Sequence, residues 1–153
     1  MKITKILLSL IIISLMIIYS CTEKEELNTT TRKHYYGSYK GADTNSLGHN
    51  SARNFTIKEA PFGEEYIFIN GVARYNNQEW VALVDQETLT ISEQKFHIDD
   101  TLANGVHTVY DAIYNGTATL DTLTYKIIFH FTEKQVYKDS TRVIHWITSG
   151  KKQ

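Results

Sequence analysis

Cysteine is almost missing from this chain: Cys21 is the only one in 153 residues. No disulfide can form within the chain, and no cysteine-built metal site can be assembled. An excess of one charge is missing too. The formal net charge is −1, with no basic stripe, which disfavours nucleic-acid binding. The small acidic excess does not point to a cationic partner. There is no Gly-x-Ser-x-Gly elbow, Walker A loop or dinucleotide-binding glycine fingerprint. Convincing helical periodicity is absent from His34 onward. The fold must therefore be held by its core.

The first twenty residues have a layered composition. Lys2 and Lys5 are followed by an almost wholly apolar run, Ile6 to Ile18, and then by Ser20-Cys21. Basic, apolar and small in that order is a secretory leader. The 13-residue run is short for a membrane span, which needs about 20, and polar Thr22 to Glu26 ends it. A retained membrane helix is the alternative. Ile18-Tyr19-Ser20-Cys21 resembles the bacterial lipobox, with Tyr19 in place of a small residue. That resemblance implies cleavage before Cys21 and diacylglycerol and acyl (palmitate-type) chains on its thiol and amine. Two or more chains make a stable anchor, at about 0.8 kcal/mol per buried methylene. A lipidated Cys21 would be no thiolate nucleophile. Residues 1–20 carry two lysines and no acid, so their removal takes the net charge from −1 to −3 and leaves 133 residues, enough for one domain.

Residues 21–33 are polar and aperiodic, as in a flexible tether. The 12 residues Thr22 to Lys33 reach at most about 40 Å when extended. Lys24-Glu25-Glu26 resembles the surface-export signal of Bacteroidota lipoproteins; a merely solvated acidic linker is the alternative. The expected location is the cell envelope, lipid-anchored to the outer membrane, with the outer face of the cell as one option.

Residues 34–150 read as a β domain, with 151–153 as a tail. Tyr, Thr, Ile, Val and Phe dominate. Strands are expected near 34–42, 52–59, 64–70, 78–84, 87–91, 94–99, 107–120, 122–132 and 141–148. Turn signals at Asp43 to Asn50, Pro61-Phe62-Gly63, Asn70-Gly71, Asn76-Asn77 and Asn104-Gly105 separate many of them. About nine antiparallel strands suggest a single closed β-barrel of eight or nine strands, or else a β-sandwich. Closure hides strand edges and favours the barrel.

The hairpin around Asp121-Thr122 is specified in most detail. Tyr110, Ala112, Tyr114, Gly116, Ala118 and Leu120 share one face, as do Leu123, Tyr125, Ile127, Phe129 and Phe131. A two-residue turn would pair Leu120 with Leu123, Ala118 with Tyr125 and Gly116 with Ile127, and the two apolar faces would coincide. Small residues facing bulky ones suit the bend of a barrel.

His34-Tyr35-Tyr36-Gly37-Ser38-Tyr39-Lys40-Gly41 opens the domain, and Ile91-Ser92-Glu93-Gln94 sits mid-chain. Tyr114-Asn115-Gly116-Thr117-Ala118-Thr119-Leu120 follows, and Thr148-Ser149-Gly150-Lys151 closes it. In this order the motifs resemble the small β-rich, lipocalin-like lipoproteins of Bacteroidota. The resemblance implies a calyx-like barrel and brings no catalytic residues with it. Members often carry a cysteine in the last strands; this chain has none.

Chemistry-bearing clusters are sparse. His97 and Asp99 share a strand face, with Asp100 and His107 near, but the spacing matches no metal motif, and a polar strand end is the simpler reading. No metal and no other cofactor is expected. His130 and His145 meet across the last two strands or are simply exposed. Glu64-Glu65 and Asp99-Asp100 are adjacent pairs that point to opposite faces, unlike an acid–base dyad. Tyr110, Tyr114, Tyr125, Phe129 and Phe131 line an apolar ligand cavity or fill the interior. Trp80, Trp146, Tyr35 and Tyr36 offer an external platform for sugars or a protein. Asp100-Thr101-Leu102, Asp121-Thr122-Leu123 and Asp139-Ser140-Thr141 resemble the O-glycosylation motif of exported Bacteroidota proteins, at Thr101, Thr122 and Ser140. All three fall in expected turns, which favour these residues in any case.

The sequence thus points to a noncatalytic envelope lipoprotein that binds a small apolar ligand in its barrel. The alternative is an interaction module or inhibitor engaging an envelope or host protein through its outer surface. An enzyme ranks third.

Overall fold

In a computed structural model, residues 31–72, 78–101 and 105–153 are described. The expected leader, Cys21, most of the tether and the turn at Asn76-Asn77 lie outside these residues, as does Asn104. Eight strands form a closed antiparallel barrel in simple chain order. They are β1 (Gly37–Asn45), β2 (Asn50–Glu59), β3 (Tyr66–Asn70), β4 (Glu79–Asp85), β5 (Thr88–Thr101), β6 (His107–Asp121), β7 (Lys126–Val136) and β8 (Thr141–Lys152). β1 pairs with β8 from Tyr39↔Lys152 to Asn45↔Trp146, which shuts the cylinder. The barrel, not the sandwich, is the fold.

Alternation builds the wall. Ile127, Phe129 and Phe131 on β7 and Ile144, Trp146 and Thr148 on β8 are buried at every second position. Small residues make room where strands and rings crowd. A Cβ on Gly116 would fall onto His130 O and the Phe131 side chain. One on Gly150 would meet the Phe55 ring, which stacks on Tyr39 with centroids 5.0 Å apart.

The expected β6–β7 register is displaced by four residues. Leu120 pairs with Ile127, Ala118 with Phe129 and Gly116 with Phe131. The Asp121 carboxylate accepts from the Leu123 and Thr124 amides at 2.9 and 3.1 Å, and from the Thr124 hydroxyl at 2.7 Å. That cap holds a four-residue turn, 122–125, instead of a two-residue one. An even displacement keeps every strand residue on its face, but Leu123 and Tyr125 leave the inner surface. Leu123 is 91% exposed, and Tyr125 is exposed with φ 53.

The two strands expected at 87–91 and 94–99 are one, β5, with a bulge between Ile91 and Gln94. Main-chain pairing of β4 with β5 runs only from Leu83↔Thr90 to Asp85↔Thr88. Beyond it the Gln94 amide takes the ladder's place. It accepts from Val81 N at 2.8 Å and donates to Val81 O at 2.7 Å.

The domain is wider than expected at both ends. Residues 31–35 form a helical turn against the barrel, and Lys151 and Lys152 belong to β8. The helical turn closes the end where β2–β3, β4–β5 and β6–β7 are joined. Arg32 donates to Glu59 Oε1 at 3.0 Å, and the Tyr39 hydroxyl donates to Tyr35 O at 2.7 Å. Tyr35 is fully buried there. Among the described residues nothing comparable covers the opposite, open end.

Candidate functional site

Toward the open end the inward residues of β1 and β7 change character from apolar to polar. On β7 the inward series Ile127, Phe129, Phe131 continues as Glu133 and Gln135, which are 1% and 3% exposed. Glu133 Oε2 accepts from Trp146 Nε1 at 2.9 Å, and Oε1 accepts from Gln135 Nε2 at 2.8 Å. Gln135 Oε1 in turn accepts from the Tyr137 hydroxyl at 2.9 Å. A buried carboxylate held by neutral donors alone fixes the indole and the amide above it.

That pair, Trp146 and Gln135, forms the floor of a cleft of about 480 Å³. Tyr110, Tyr137, Ile144 and Leu47 supply apolar wall, while Asn45, His49, Thr108 and Arg142 supply polar groups. Tyr110 and Tyr137 lie with ring centroids 5.0 Å apart, and His49 meets the Trp146 ring edge-on at 5.5 Å. Arg142 is exposed and has no ion pair among the described residues.

Beside the cleft, buried Asp43 accepts from the Ser51 hydroxyl at 2.6 Å and from Arg53 Nε at 3.0 Å; Arg53 Nη2 binds the same oxygen. His49 Nε2 lies 3.2 Å from Ser51 Oγ. Serine, histidine and aspartate are together, but the order differs from a nucleophile relay. In a relay the histidine stands between serine and acid. Here the serine proton points at the carboxylate, whose other oxygen is held by arginine. The group is a structural brace under the cleft rim.

The aromatic residues expected inside divide into three groups. Tyr114, Phe129 and Phe131 are buried in the filled core, with Phe131 and Tyr114 each packed on Trp80 at 4.9 Å. Tyr110 reaches the cleft, and Tyr125 sits outside in the β6–β7 turn. The external platform does not exist as expected: Trp80, Trp146 and Tyr35 are 1%, 5% and 0% exposed and point inward, and Tyr36 packs partly buried against the core.

His97 and Asp99 share the outer face but bind different partners. His97 Nδ1 is 3.1 Å from Asp111 Oδ1, and His107 Nε2 is 2.7 Å from Asp99 Oδ1. Lys95 and His97 beside Asp111 hold its carboxyl below the usual range, mainly through their hydrogen bonds. His130 and His145 are both exposed, on the outer face. They pair with Ile147 and Thr132 respectively, in diagonal positions. Among the described residues no three His, Cys, Asp or Glu side chains converge for a metal ion. Thr101 ends β5, Thr122 lies in the β6–β7 turn and Ser140 in the β7–β8 loop.

Sequence reasoning missed Asp43, Glu133 and Gln135. Their inward parity was the available signal, since each continues the alternation of its strand.

No family model matches the chain, and no curated protein matches it. Among solved structures it is similar to a redesigned β-barrel, at 13% identity and a TM-score of 0.42, over 77% of this chain and 93% of that one.

Proposed function

We propose that this protein is an envelope lipoprotein of the lipocalin-like Bacteroidota type, tethered through a lipidated Cys21, whose barrel holds a small molecule at its open end without transforming it. The leader-like order of residues 1–20 and the lipobox resemblance at Cys21 support the anchor. The observation that carries the binding role is the cleft above Trp146 and Gln135. Its volume, about 480 Å³, falls among small-molecule sites, which run from about 300 to 1,000 Å³. It has the usual mixture of apolar wall and a few fixed polar groups.

The proposed ligand lies above the packed core, not at the barrel centre expected on sequence grounds, and it differs in kind. Tyr110, Tyr137 and Trp146 offer flat apolar contact, while Arg142 and His49 offer hydrogen bonds. A small, flat, half-apolar molecule with one acidic group fits both. A noncatalytic role is supported by the brace geometry: Asp43, Ser51 and Arg53 are bound to one another and not presented to the cleft.

Anilinonaphthalene sulfonate, a flat aromatic with one sulfonate, tests the reading by fluorescence titration. Arg142→Glu is expected to weaken its binding about tenfold, as is usual for loss of a charge-assisted contact. Tyr110→Ala should weaken it too. Binding that neither substitution alters would remove the cleft as the site.

A further inference from the structure

Lys40, Lys151 and Lys126 stand side by side on β1, β8 and β7. Lys151 is the direct cross-strand partner of both others. All three are exposed on the outer wall near the closed end, and none has an ion pair among the described residues. Like charges placed directly opposite destabilise a sheet. A polyanionic neighbour would turn that repulsion into attraction. Asp121, the next residue along the row opposite Lys126, is turned toward the Leu123 and Thr124 amides of its own turn. Lys152 adds a fourth cation, with Nζ 5.8 Å from the Tyr125 ring.

The same end carries Leu123, 91% exposed at the tip of the β6–β7 turn, with Tyr125 beside it. The turn does not need a leucine there, because Asp121 caps backbone amides, which any side chain at 123 would leave in place. An exposed leucine and an amphipathic tyrosine next to lysines is the composition of a membrane-interface contact. The chain itself gives the direction. The segment from the proposed anchor Cys21 joins the barrel through the helical turn 31–35 at this closed end.

We propose that this sector of the closed end docks on an anionic lipid surface. Leu123 and Tyr125 enter the headgroup layer, and Lys40, Lys126, Lys151 and Lys152 meet lipid phosphates. The barrel then stands on the membrane with its cleft facing away. The inference shares the membrane anchor with the proposed function but not the ligand.

The full chain carrying Leu123→Trp is reconstituted in vesicles of phosphatidylcholine with brominated acyl chains, with or without phosphatidylglycerol. Trp80 and Trp146 are buried and give the background in the parent chain. The new indole is expected to be quenched strongly only when phosphatidylglycerol is present. Val143→Trp, on the outer wall near the open end, should stay unquenched in both. Reversing Lys40, Lys126 and Lys151 to Glu in the Leu123→Trp background should return quenching to the phosphatidylcholine level while the chain still floats with the vesicles. Each lysine lost is expected to lower the docked-to-undocked ratio about fivefold, from its attraction to an anionic surface. Equal quenching on both lipids, or quenching that survives the reversal, would overturn the docking. A chain that fails to float with phosphatidylcholine alone would instead sink the anchor, and quenching by phosphatidylglycerol vesicles would still decide the docking.

Discussion

At the closed end the inward positions are Leu89, Leu120 and Ile127, and the helical turn brings buried Tyr35 to the same end. At the open end, on the same strands or their neighbours, the inward positions are Asp43, Glu133 and Gln135. The wall is continuous between the two, yet the first end is built for packing and the second for hydrogen bonding. Apolar burial is tolerant of direction, whereas a buried carboxylate persists only with donors in place. The open end therefore contains the more exact geometry, and the apolar layers below it are expected to supply most of the stability.

The sharpest way to break this contrast is to empty each end in turn. Phe129 is fully buried and meets Phe55 edge-on at 5.4 Å. Phe129→Ala should lower the unfolding free energy by about 3–5 kcal/mol in urea melts. Arg142→Ala at the cleft rim should change it by less than about 0.5 kcal/mol. Comparable losses at both sites would mean that stability is spread evenly along the barrel.

Glu133 tests the other half. In Glu133→Gln one acceptor becomes a donor, so either Trp146 Nε1 or Gln135 Nε2 loses its partner. A buried donor left unsatisfied costs about 1–3 kcal/mol. The melt should show that loss, and anilinonaphthalene sulfonate should bind more weakly because the cleft floor is no longer fixed. Lost stability with unchanged binding would separate the carboxylate from the cleft.

Legibility in the sequence follows the same divide. Strands near the core were readable because Tyr, Ile, Val and Phe alternate with polar residues. The barrel survived even a register displaced by four, since an even shift keeps faces. The displacement arose at Asp121, whose side chain acts as a turn cap that a two-residue reading leaves out. The open end was not readable. Asp43 looks like the start of a turn and Glu133 like the end of a strand, because polar residues in inward positions imitate strand termini. Trp146 failed for a related reason. Along β8 both Ile144-Trp146 and Val143-Ile147 are apolar alternations, so composition does not say which face turns inward.

The closed end can also be probed with base. Burial pushes the Tyr39 hydroxyl up to about 12 from an ordinary 10, and the Tyr35 hydroxyl is raised too, chiefly by burial and then by Glu87 and Tyr39. Both groups hold their protons more tightly folded than unfolded. Their contribution is therefore complete below about pH 10 and is lost as pH rises through the folded values. Unfolding free energy should fall steeply between about pH 10 and 12. Tyr39→Phe should flatten that fall while lowering stability near neutrality by about 0.5–1.5 kcal/mol, from the lost bond to Tyr35 O. An unchanged slope would place the alkaline weakness elsewhere.

The smallest expected effect lies in the turns. Among the described residues, Gln86 and Tyr125 are the non-glycines with positive φ, at 54 and 53, and both sit at the closed end. Gln86 opens the β4–β5 turn, and its carbonyl accepts the Tyr35 hydroxyl at 3.4 Å. A side chain in that backbone region crowds the following carbonyl, which glycine avoids. Gln86→Gly keeps the carbonyl and should raise stability by about 0.5–1 kcal/mol, net of the added freedom of the unfolded chain. A loss instead would show that the Gln86 side chain itself contributes to closing this end. The tight turns would then be part of the apolar seal, not a cost it carries.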